Sequence, residues 1–514
     1  MSVPSPHLSD TSVPGDGQGT LKRIDIRQVL RHMLFAVVCG LACGFASVLL
    51  CLCIEAARHL FEHATWLLWF LPVLGAIQLL MYRWWKLPLN LTTDAVIERM
   101  RAGKPISALL APGILFATGM TIMGGGSVGK EAGALQIGAS LGTTISKPFH
   151  LRDIWHADAR DDTGLNRYIA STGMAATFSA LFFAPLGSCM LVLELMRFVQ
   201  LRYVVSMLLA CFVAYGVSSA FRIGDIIVTV PVPQFDWHMV GTCVIIGIAA
   251  ALGGSVFALA IRLLQSLTMR IRHNYYVWVV VGGLLYAVLV TACGWWRYTG
   301  SGGALLNEIL RTPDISWGFA IKMLLTVICL GLWFKGGEIM PSFCIGGLLG
   351  SASFVMTGAD PLFGAAVGAI CFLAAFNRCP VSAFLLGCEI FGWGMAPFLG
   401  LAVAVSFLFG YPVGIYGSDI DVLARSGWAQ LVDKVRAGTQ ANEDDKDAGL
   451  MDFVVAAGHA AETVAESVEQ AADDEAIAWQ REHPRRRRRH HGSGQGRGHG
   501  HTSGKNAGQS ARSA

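Results

Sequence analysis

The chain has 514 residues, of which 54% are hydrophobic and only 14% are charged. Because roughly a quarter of the residues in soluble domains are charged, this composition excludes an ordinary soluble protein and indicates an integral membrane protein. The formal net charge of +4 gives no reason to expect nucleic acid as a partner, since part of the basic residues lie in the C-terminal tail.

The amino-terminal segment, residues 1–28, is polar and is predicted to be disordered in the cytoplasm. It is too long and too polar for a signal peptide. Lys22, Arg23, Arg27 and Arg31 lie at or directly before the start of the first apolar run. By the positive-inside tendency, this end of the protein is cytoplasmic.

Long apolar runs at 34–54, 66–81 and 239–261 predict membrane-spanning helices. Each is long enough to cross a hydrocarbon core of about 30 Å at about 1.5 Å per residue. Other apolar segments, such as "ALQIGASLGTTI" and "SFCIGGLLG", are short and rich in glycine. Irregular backbone survives at membrane depth only where protein or a water-filled cavity satisfies it, so these segments predict broken helices.

The stretch "GGGSVGKEAGALQIGASLG" at 124–142 contains seven glycines. A helix that begins inside a membrane has unpartnered N–H groups and a partial positive charge at its start, and glycine lets an anion approach that backbone closely. Stretches of similar character begin at 182, 336 and 411. If two or more converge, they form an anion site without a full positive charge, which can release its ion again.

Glu131 lies in the first of these stretches. An intramembrane carboxylate marks an ion pathway or a proton relay by default. When ionised, it can occupy an anion position and close the path, and protonation or displacement would open it. The alternative is a glutamate that only complements the helix dipole or faces the lipid headgroups.

Two sequence motifs occur twice in the same order. The segments 182–196 and 377–391 each run from a proline through apolar residues to a glutamate, Glu194 or Glu389, and "IGASLG" at 137 is echoed by "IGGLLG" at 345. These echoes indicate duplicated halves, which in transporters are often inverted and meet at a site near the midplane. Chance similarity among apolar, glycine-rich strings is the alternative.

From residue 426 onward the chain is predicted to be a largely disordered, charged cytoplasmic tail. Residues 443–475 contain eleven acidic residues and one lysine, and residues 485–489 are all arginine. Blocks of like charge with low hydrophobicity cannot bury enough surface to fold, so at most one amphipathic helix is expected, around 451–479. The arginines either attract anionic lipid headgroups or only keep the tail solvated.

Several of these motifs resemble the CLC family of anion channels and proton-coupled anion antiporters. "GKEAG" resembles its gating-glutamate motif, "GGEIMP" with "SFCIGGLLG" resembles its second signature, and the two proline-to-glutamate segments resemble its paired helix motifs. The resemblance covers residues 29–425. It implies an all-α membrane bundle of about eighteen broken, tilted helices in two inverted-topology repeats. It also implies a homodimer, with a separate pore in each subunit, in the inner cell membrane.

The resemblance assigns roles to residues on the two signatures. Glu131 falls on the external gating glutamate, and the turn around it is expected to bind the anion. Ile339 falls where many members have an aromatic residue whose N–H meets the central anion, and the N–H of Met340 would point the same way. The remaining members of the expected anion-binding turn are Gly129, Lys130 and Ala132.

Departures from the family pattern concern the other anion and proton positions. Tyr416 is chosen for the tyrosine whose hydroxyl contacts the anion, with Tyr411 and a packing tyrosine as alternatives. Asn90 is the candidate for the place of a family serine. Leu195 stands where many chloride/proton antiporters have an internal proton glutamate, which leaves either a channel-like protein or an exchanger that moves protons through Glu131 alone. Glu338 is a second candidate proton carrier, or alternatively a helix cap.

The sequence therefore predicts transmembrane transport of a monovalent inorganic anion, with chloride as the first choice, by a channel or a proton-coupled exchanger. A fluoride/proton antiporter is the alternative, because "GGSVGKEAG" and "KGGEIMP" are similar to the fluoride-exporting branch. No metal-ligand spacing or nucleophile elbow indicates an enzyme or a cofactor, and the thirteen cysteines are interpreted as core residues. An enzyme or an anchor for the tail remains the remote alternative.

Overall fold

The computed structural model describes residues 26–152, 163–198, 200–223, 230–234, 236–410 and 415. All of them belong to one of two compact units, Met1–Ala465. The second unit, Glu466–Ala514, and the whole predicted tail from residue 426 lie outside the described residues, as does most of the predicted N-terminal segment.

The described residues form seventeen α-helices and no β-strand, apart from one isolated β-bridge. The first half of the chain contains α1 (Ile26–His63), α2 (Leu71–Trp84), α3 (Thr93–Arg101), α4 (Leu110–Met123), α5 (Glu131–Ile145), α6 (Thr163–Phe182), α7 (Pro185–Leu195) and α8 (Val204–Phe221). The second half contains α9 (Trp237–Ile271), α10 (Tyr275–Cys293), α11 (Gly303–Ile309), α12 (Gly318–Gly331), α13 (Ile339–Ala352), α14 (Phe354–Thr357), α15 (Pro361–Asn377), α16 (Pro380–Phe391) and α17 (Ala396–Phe409).

The two halves repeat the same order of helices and the same packing. Helix α5 packs on α6 as α13 packs on α15, and α6 contacts α7 and α8 as α15 contacts α16 and α17. The turns before Pro185 and Pro380 are also alike, since Phe183 and Arg378 have φ of +54° and +57°. This repetition is the duplication that the sequence echoes predict.

Among the described residues, six stretches of 19 to 38 residues are long and apolar enough to cross a membrane. The predicted spans at 34–54, 66–81 and 239–261 fall within three of them, Ile26–His63, Thr65–Trp84 and Trp237–Ile271. The 38 residues of α1 extend for about 57 Å at about 1.5 Å per residue, so α1 must tilt in a hydrocarbon core of about 30 Å or extend beyond it. Shorter apolar helices, including α7 and α16, are too short to span. Of the two segments predicted to be too short, "ALQIGASLGTTI" lies in the 15-residue α5, whereas "SFCIGGLLG" lies within Ile339–Thr357, which is long enough by length and composition.

The centre of the bundle consists of α5, α6, α13 and α15, which are buried along most of their length. Close approach of these helices requires glycine: a Cβ built on Gly138 would overlap the carbonyl oxygen of Gly173, and one on Gly350 would overlap that of Gly364. Small residues at helix contacts allow such packing in membranes. All thirteen cysteines are free thiols, and eleven are buried, as expected of small core residues.

Candidate anion site

Two glycine-rich loops pair with each other inside the bundle. The N–H of Gly129 donates to the carbonyl oxygen of Gly337 at 2.6 Å, and the N–H of Gly337 donates back to the carbonyl oxygen of Gly129 at 2.7 Å. Each loop directly precedes a helix, since α5 begins at Glu131 and α13 begins at Ile339. The bridge therefore brings together one helix N-terminus from each half, and two of the four glycine-rich stretches converge.

Glu131 is completely buried at the first position of α5. Its Oε2 accepts a hydrogen bond from the backbone N–H of Met340, in the first turn of α13, at 3.3 Å. The first N–H groups of α13 have no partners within the helix, and the helix dipole adds a positive potential there. The carboxylate thus contacts the electropositive start of α13.

Gly129 provides the space for this carboxylate. A Cβ built on Gly129 would overlap Oε2 of Glu131 and would lie 2.9 Å from Cδ of Pro341. Any side chain at position 129 would therefore push the carboxylate away from α13. Ala132 packs against the opposite loop, because a Cβ on Gly337 would lie 2.6 Å from the Ala132 Cβ.

The other residues expected on these two turns have distinct positions. Ile339 and Met340 are buried at the start of α13, where their backbone N–H groups belong to the unpartnered first turn. Lys130 is half-buried, and its Nζ donates to Sγ of Cys51 on α1 at 3.3 Å. The Met340 N–H of α13 therefore provides the direct contact to the carboxylate, and the lysine side chain contacts α1.

Glu338 immediately precedes α13 and is only 6% exposed. Its side chain makes no capping hydrogen bond to the N–H groups of that helix. Instead it lines a cavity of about 80 Å³ beside the loop. The alternative of a simple capping carboxylate therefore does not describe this side chain.

The cavity lies between the start of α3, α5, α9 and the loop before α13. Its charged lining residues are two carboxylates and two cations: Asp94, Glu338, Arg262 and Lys335. Its other lining residues are Leu91, Thr92, Thr93, Ile114, Gln136, Ile261, Gln265, Leu330, Trp333, Phe334, Gly336 and Ile415.

Lys335 fixes the turn that contains Asn90. Its Nζ donates to the carbonyl oxygens of Leu89 and Leu91 at 2.5 and 3.1 Å, and it lies 5.1 Å from the centroid of the Tyr82 ring. Asn90 lies between these two carbonyl groups and is exposed. The lysine was visible in the motif "KGGEIMP", but its partners are more than two hundred residues away in the chain, so the sequence did not indicate this role.

Tyr416 and Tyr411 lie outside the described residues, so the tyrosine assignment stays a prediction. Ile415 is described and lines the cavity. Its N–H donates to the carbonyl oxygen of Phe376 at 3.1 Å, and Nη2 of Arg262 donates to its carbonyl oxygen at 2.9 Å.

The stretch beginning at 182 has a different partner from the one expected. The N–H groups of Leu186 and Gly187, at the start of α7, donate to Oε1 and Oε2 of Glu389 at 3.0 and 2.7 Å. In the same way, the N–H groups of Val381 and Ser382 at the start of α16 donate to Glu194 at 3.3 and 3.0 Å. The echoed glutamates therefore cap each other's helices, and a carboxylate already occupies these N-termini.

Leu195 is buried at the end of α7, where its side chain can carry no proton. Its carbonyl oxygen accepts hydrogen bonds from Nε and Nη2 of Arg101 at 3.0 and 2.8 Å. Arg101 thus satisfies a carbonyl group at the end of α7 that lacks a partner within the helix. Sequence reasoning missed this contact because Arg101 reads as an ordinary basic residue at the end of α3.

A membrane bundle of two matching halves, in which two helix N-termini meet at a buried carboxylate, is the architecture of an anion transport protein. The chain belongs to the CLC family, since the family model described as "Voltage gated chloride channel" matches residues 76–411. It is 30% identical over 404 residues to a chloride/fluoride channel protein of Pseudomonas syringae pv. tomato, covering 76% of this chain and 86% of that relative. It is also 30% identical over 300 residues to the H(+)/Cl(−) exchange transporter ClcA of Klebsiella pneumoniae, covering 54% and 61% of the two chains.

Solved structures show the same fold. The crystal structure of a CLC-type fluoride/proton antiporter has a TM-score of 0.65 at 23% identity and covers 76% of this chain and 97% of its own. A slow cyanobacterial Cl−/H+ antiporter has a TM-score of 0.63 at 18% identity, with coverage of 78% and 98%. The all-α, multi-pass membrane fold predicted from the sequence is therefore confirmed.

Proposed function

We propose that this protein carries a small halide ion across the membrane along a path that the Glu131 carboxylate closes. The observation that carries the proposal is the hydrogen bond from the Met340 N–H to Oε2 of Glu131, at 3.3 Å. A halide and this carboxylate would compete for the same amide groups. Because the positive potential there comes from amides and a helix dipole, the ion is held without a full counter-charge and can leave again.

The same competition couples halide movement to protons. A protonated Glu131 carries no charge, so it loses most of its attraction to the amides of α13 and leaves them to the ion. One carboxyl group can then carry protons in one direction while halide ions move in the other. Leu195 supports this single-carboxylate scheme, because it offers no second titratable group at that position. Glu338, which lines the neighbouring cavity, is proposed to assist the proton.

Chloride is the first candidate cargo, as the sequence motifs suggest, and the exchange transporter of Klebsiella pneumoniae supports it. Fluoride is the second candidate. Two observations favour it: the longer alignment is with a protein named a chloride/fluoride channel protein, and the "GGSVGKEAG" and "KGGEIMP" motifs are similar to those of the fluoride-exporting branch.

Flux from liposomes tests both parts of the proposal. The full chain is reconstituted with an outward gradient of chloride or of fluoride, and an ion-selective electrode and a pH electrode record both fluxes. Halide release with uphill proton movement supports exchange, and halide release alone indicates a channel. If fluoride is released much faster than chloride, fluoride is the cargo instead of chloride. Release of neither halide above that of protein-free liposomes contradicts the proposal.

The membrane location, the side on which the termini lie and the oligomeric state are proposals that rest on the resemblance to the CLC family. We propose an inner-membrane protein with both termini in the cytoplasm, assembled as a homodimer with one path in each subunit. The mass of the purified protein in detergent tests the dimer. Transport that survives deletion of residues 430–514 would show that the charged tail is not required for the path.

A further inference from the structure

The cavity beside Glu338 contains a buried polar atom without a partner. Gln136, on α5, is 1% exposed, and its Oε1 has no hydrogen-bond partner, whereas its Nε2 donates to Oγ1 of Thr93 at 3.0 Å. Buried side-chain oxygens are normally satisfied by protein or by ordered water, so an unsatisfied one that lines a cavity indicates an occupant.

The lining of the cavity determines what that occupant can be. Gln136 Oε1 and the carboxyl group of Glu338 are acceptors. Three donors of the lining side chains already contact protein oxygens: Nζ of Lys335 bonds to two carbonyl groups, Nη2 of Arg262 bonds to Ile415, and Nε2 of Gln265 donates to the carbonyl oxygen of Leu330 at 3.1 Å.

A bare halide can satisfy neither Gln136 Oε1 nor an ionised Glu338, because it has no proton to donate. Net charge does not favour an anion either, since the two cations are matched by Asp94 and Glu338. Water can donate to both acceptors. The volume of about 80 Å³ is sufficient, because one water needs only about 10–15 Å³ by this measure.

We propose that this cavity is a hydrated proton site in which Gln136 positions the water that brings protons to Glu338. The inference rests on the proposed proton-coupled transport, and it makes Gln136 a positioning residue. It predicts that loss of the Gln136 side-chain amide slows proton movement. The backbone N–H groups of α13, which are proposed to hold the halide, stay in place.

The test compares Gln136→Leu with Gln265→Leu in the liposome assay with both electrodes. Gln265 lines the same cavity, but its amide bonds to a backbone carbonyl oxygen. We expect Gln136→Leu to lower the proton flux per halide roughly tenfold, the effect of one lost hydrogen bond, and to leave halide flux within about twofold. Gln136→Glu, which restores an acceptor, should recover proton flux, and Gln265→Leu should keep the normal ratio.

Other outcomes overturn the inference. An unchanged proton-to-halide ratio in Gln136→Leu contradicts it while leaving the proposed halide path intact. A variant that loses halide flux and apparent halide affinity together makes the cavity an anion site instead. If the unsubstituted chain moves halide without protons, both the coupling and this inference fail.

A structural measurement tests the occupant separately from transport. A high-resolution structure of the full chain prepared in bromide should show water within hydrogen-bond distance of Gln136 Oε1. An anomalous bromide peak at that position would overturn the assignment.

Discussion

The backbone N–H of Met340 donates a hydrogen bond to Oε2 of Glu131 at 3.3 Å, which joins the starts of two helices from opposite halves of the chain. The acceptor is fully buried and the donor belongs to an unpartnered first turn. In the proposed function, this side chain and a mobile anion compete for the same N–H group, and several predictions below depend on which of the two holds it.

Gly129→Ala should weaken the closed state. The added Cβ would overlap Oε2 of Glu131, so the carboxylate must move away from α13. Overpacking of this kind typically costs about 1–3 kcal/mol, so we expect resting halide release to rise about tenfold or more. The measurement is the initial rate of halide release from liposomes.

Gly133→Ala is the matched control for that substitution. It lies in the first turn of α5, four residues further along the chain, and its Cβ would be 3.3 Å from Cγ1 of Ile114 and 3.5 Å from Oγ1 of Thr118, so only a small adjustment is needed. Its release rate should stay close to that of the unsubstituted chain. Equal rates in the two variants would show that the space at Gly129 does not hold the carboxylate in place.

Lys335→Met should lower the proton flux per halide, because Lys335 holds the Asn90 turn beside the hydrated cavity. The substitution removes the bonds from Nζ to the carbonyl oxygens of Leu89 and Leu91, so the wall of the cavity is no longer fixed. We expect the proton flux per halide to fall roughly fivefold or more, since these bonds are made by a charged, buried donor. The liposome assay with a halide electrode and a pH electrode gives this ratio.

Lys322→Met provides the comparison for Lys335. Lys322 is equally buried, and its Nζ also donates to two carbonyl oxygens, those of Tyr298 and Gly300, at 3.0 and 2.7 Å, but it does not line the cavity. Both variants should be less stable to heat, and only Lys335→Met should change the proton flux per halide. A shift of similar size in both would make the effect a general loss of packing.

Glu389→Ala should destabilise the contact between α7 and α16. It leaves the N–H groups of Leu186 and Gly187 without their carboxylate, and Glu194→Ala has the corresponding effect on α16. Hydrogen bonds to charged groups contribute about 1.5–3 kcal/mol, so each variant should unfold several degrees lower in detergent.

Glu308→Ala controls for the loss of a charge alone. Glu308 pairs with Arg297 at 3.1 Å, but about half of each side chain is exposed, so its removal should cost little. If Glu389→Ala and Glu308→Ala melt at the same temperature, the reciprocal caps do not contribute as described.

Much of the fold was predictable because it depends on local composition. Apolar length defines the spans, and glycine-rich breaks indicate where helices start inside the bundle. The resemblance assigned both Glu131 and Ile339 to anion positions, whereas the residues alone left open which of the four glycine-rich stretches converge. Helix α5 packs on α6 as α13 packs on α15, so the repeated sequence motifs correspond to a repeated packing arrangement.

The remaining contacts depend on long-range geometry that local patterns do not contain. The start of α7 looked like an anion site, but whether a helix N-terminus meets an ion or a carboxylate is decided by Glu389, about two hundred residues away. The partners of Lys335 and the open acceptor of Gln136 are likewise determined by helices that come together only in the folded bundle.

Paired halide and proton fluxes of the Glu131→Gln variant test the central claim most directly. Glutamine keeps the size of the side chain but can neither ionise nor carry a proton, so proton movement should disappear while halide release continues and no longer varies with pH. An unchanged ratio of protons to halide in this variant would contradict the assignment of Glu131 as the gate and proton carrier.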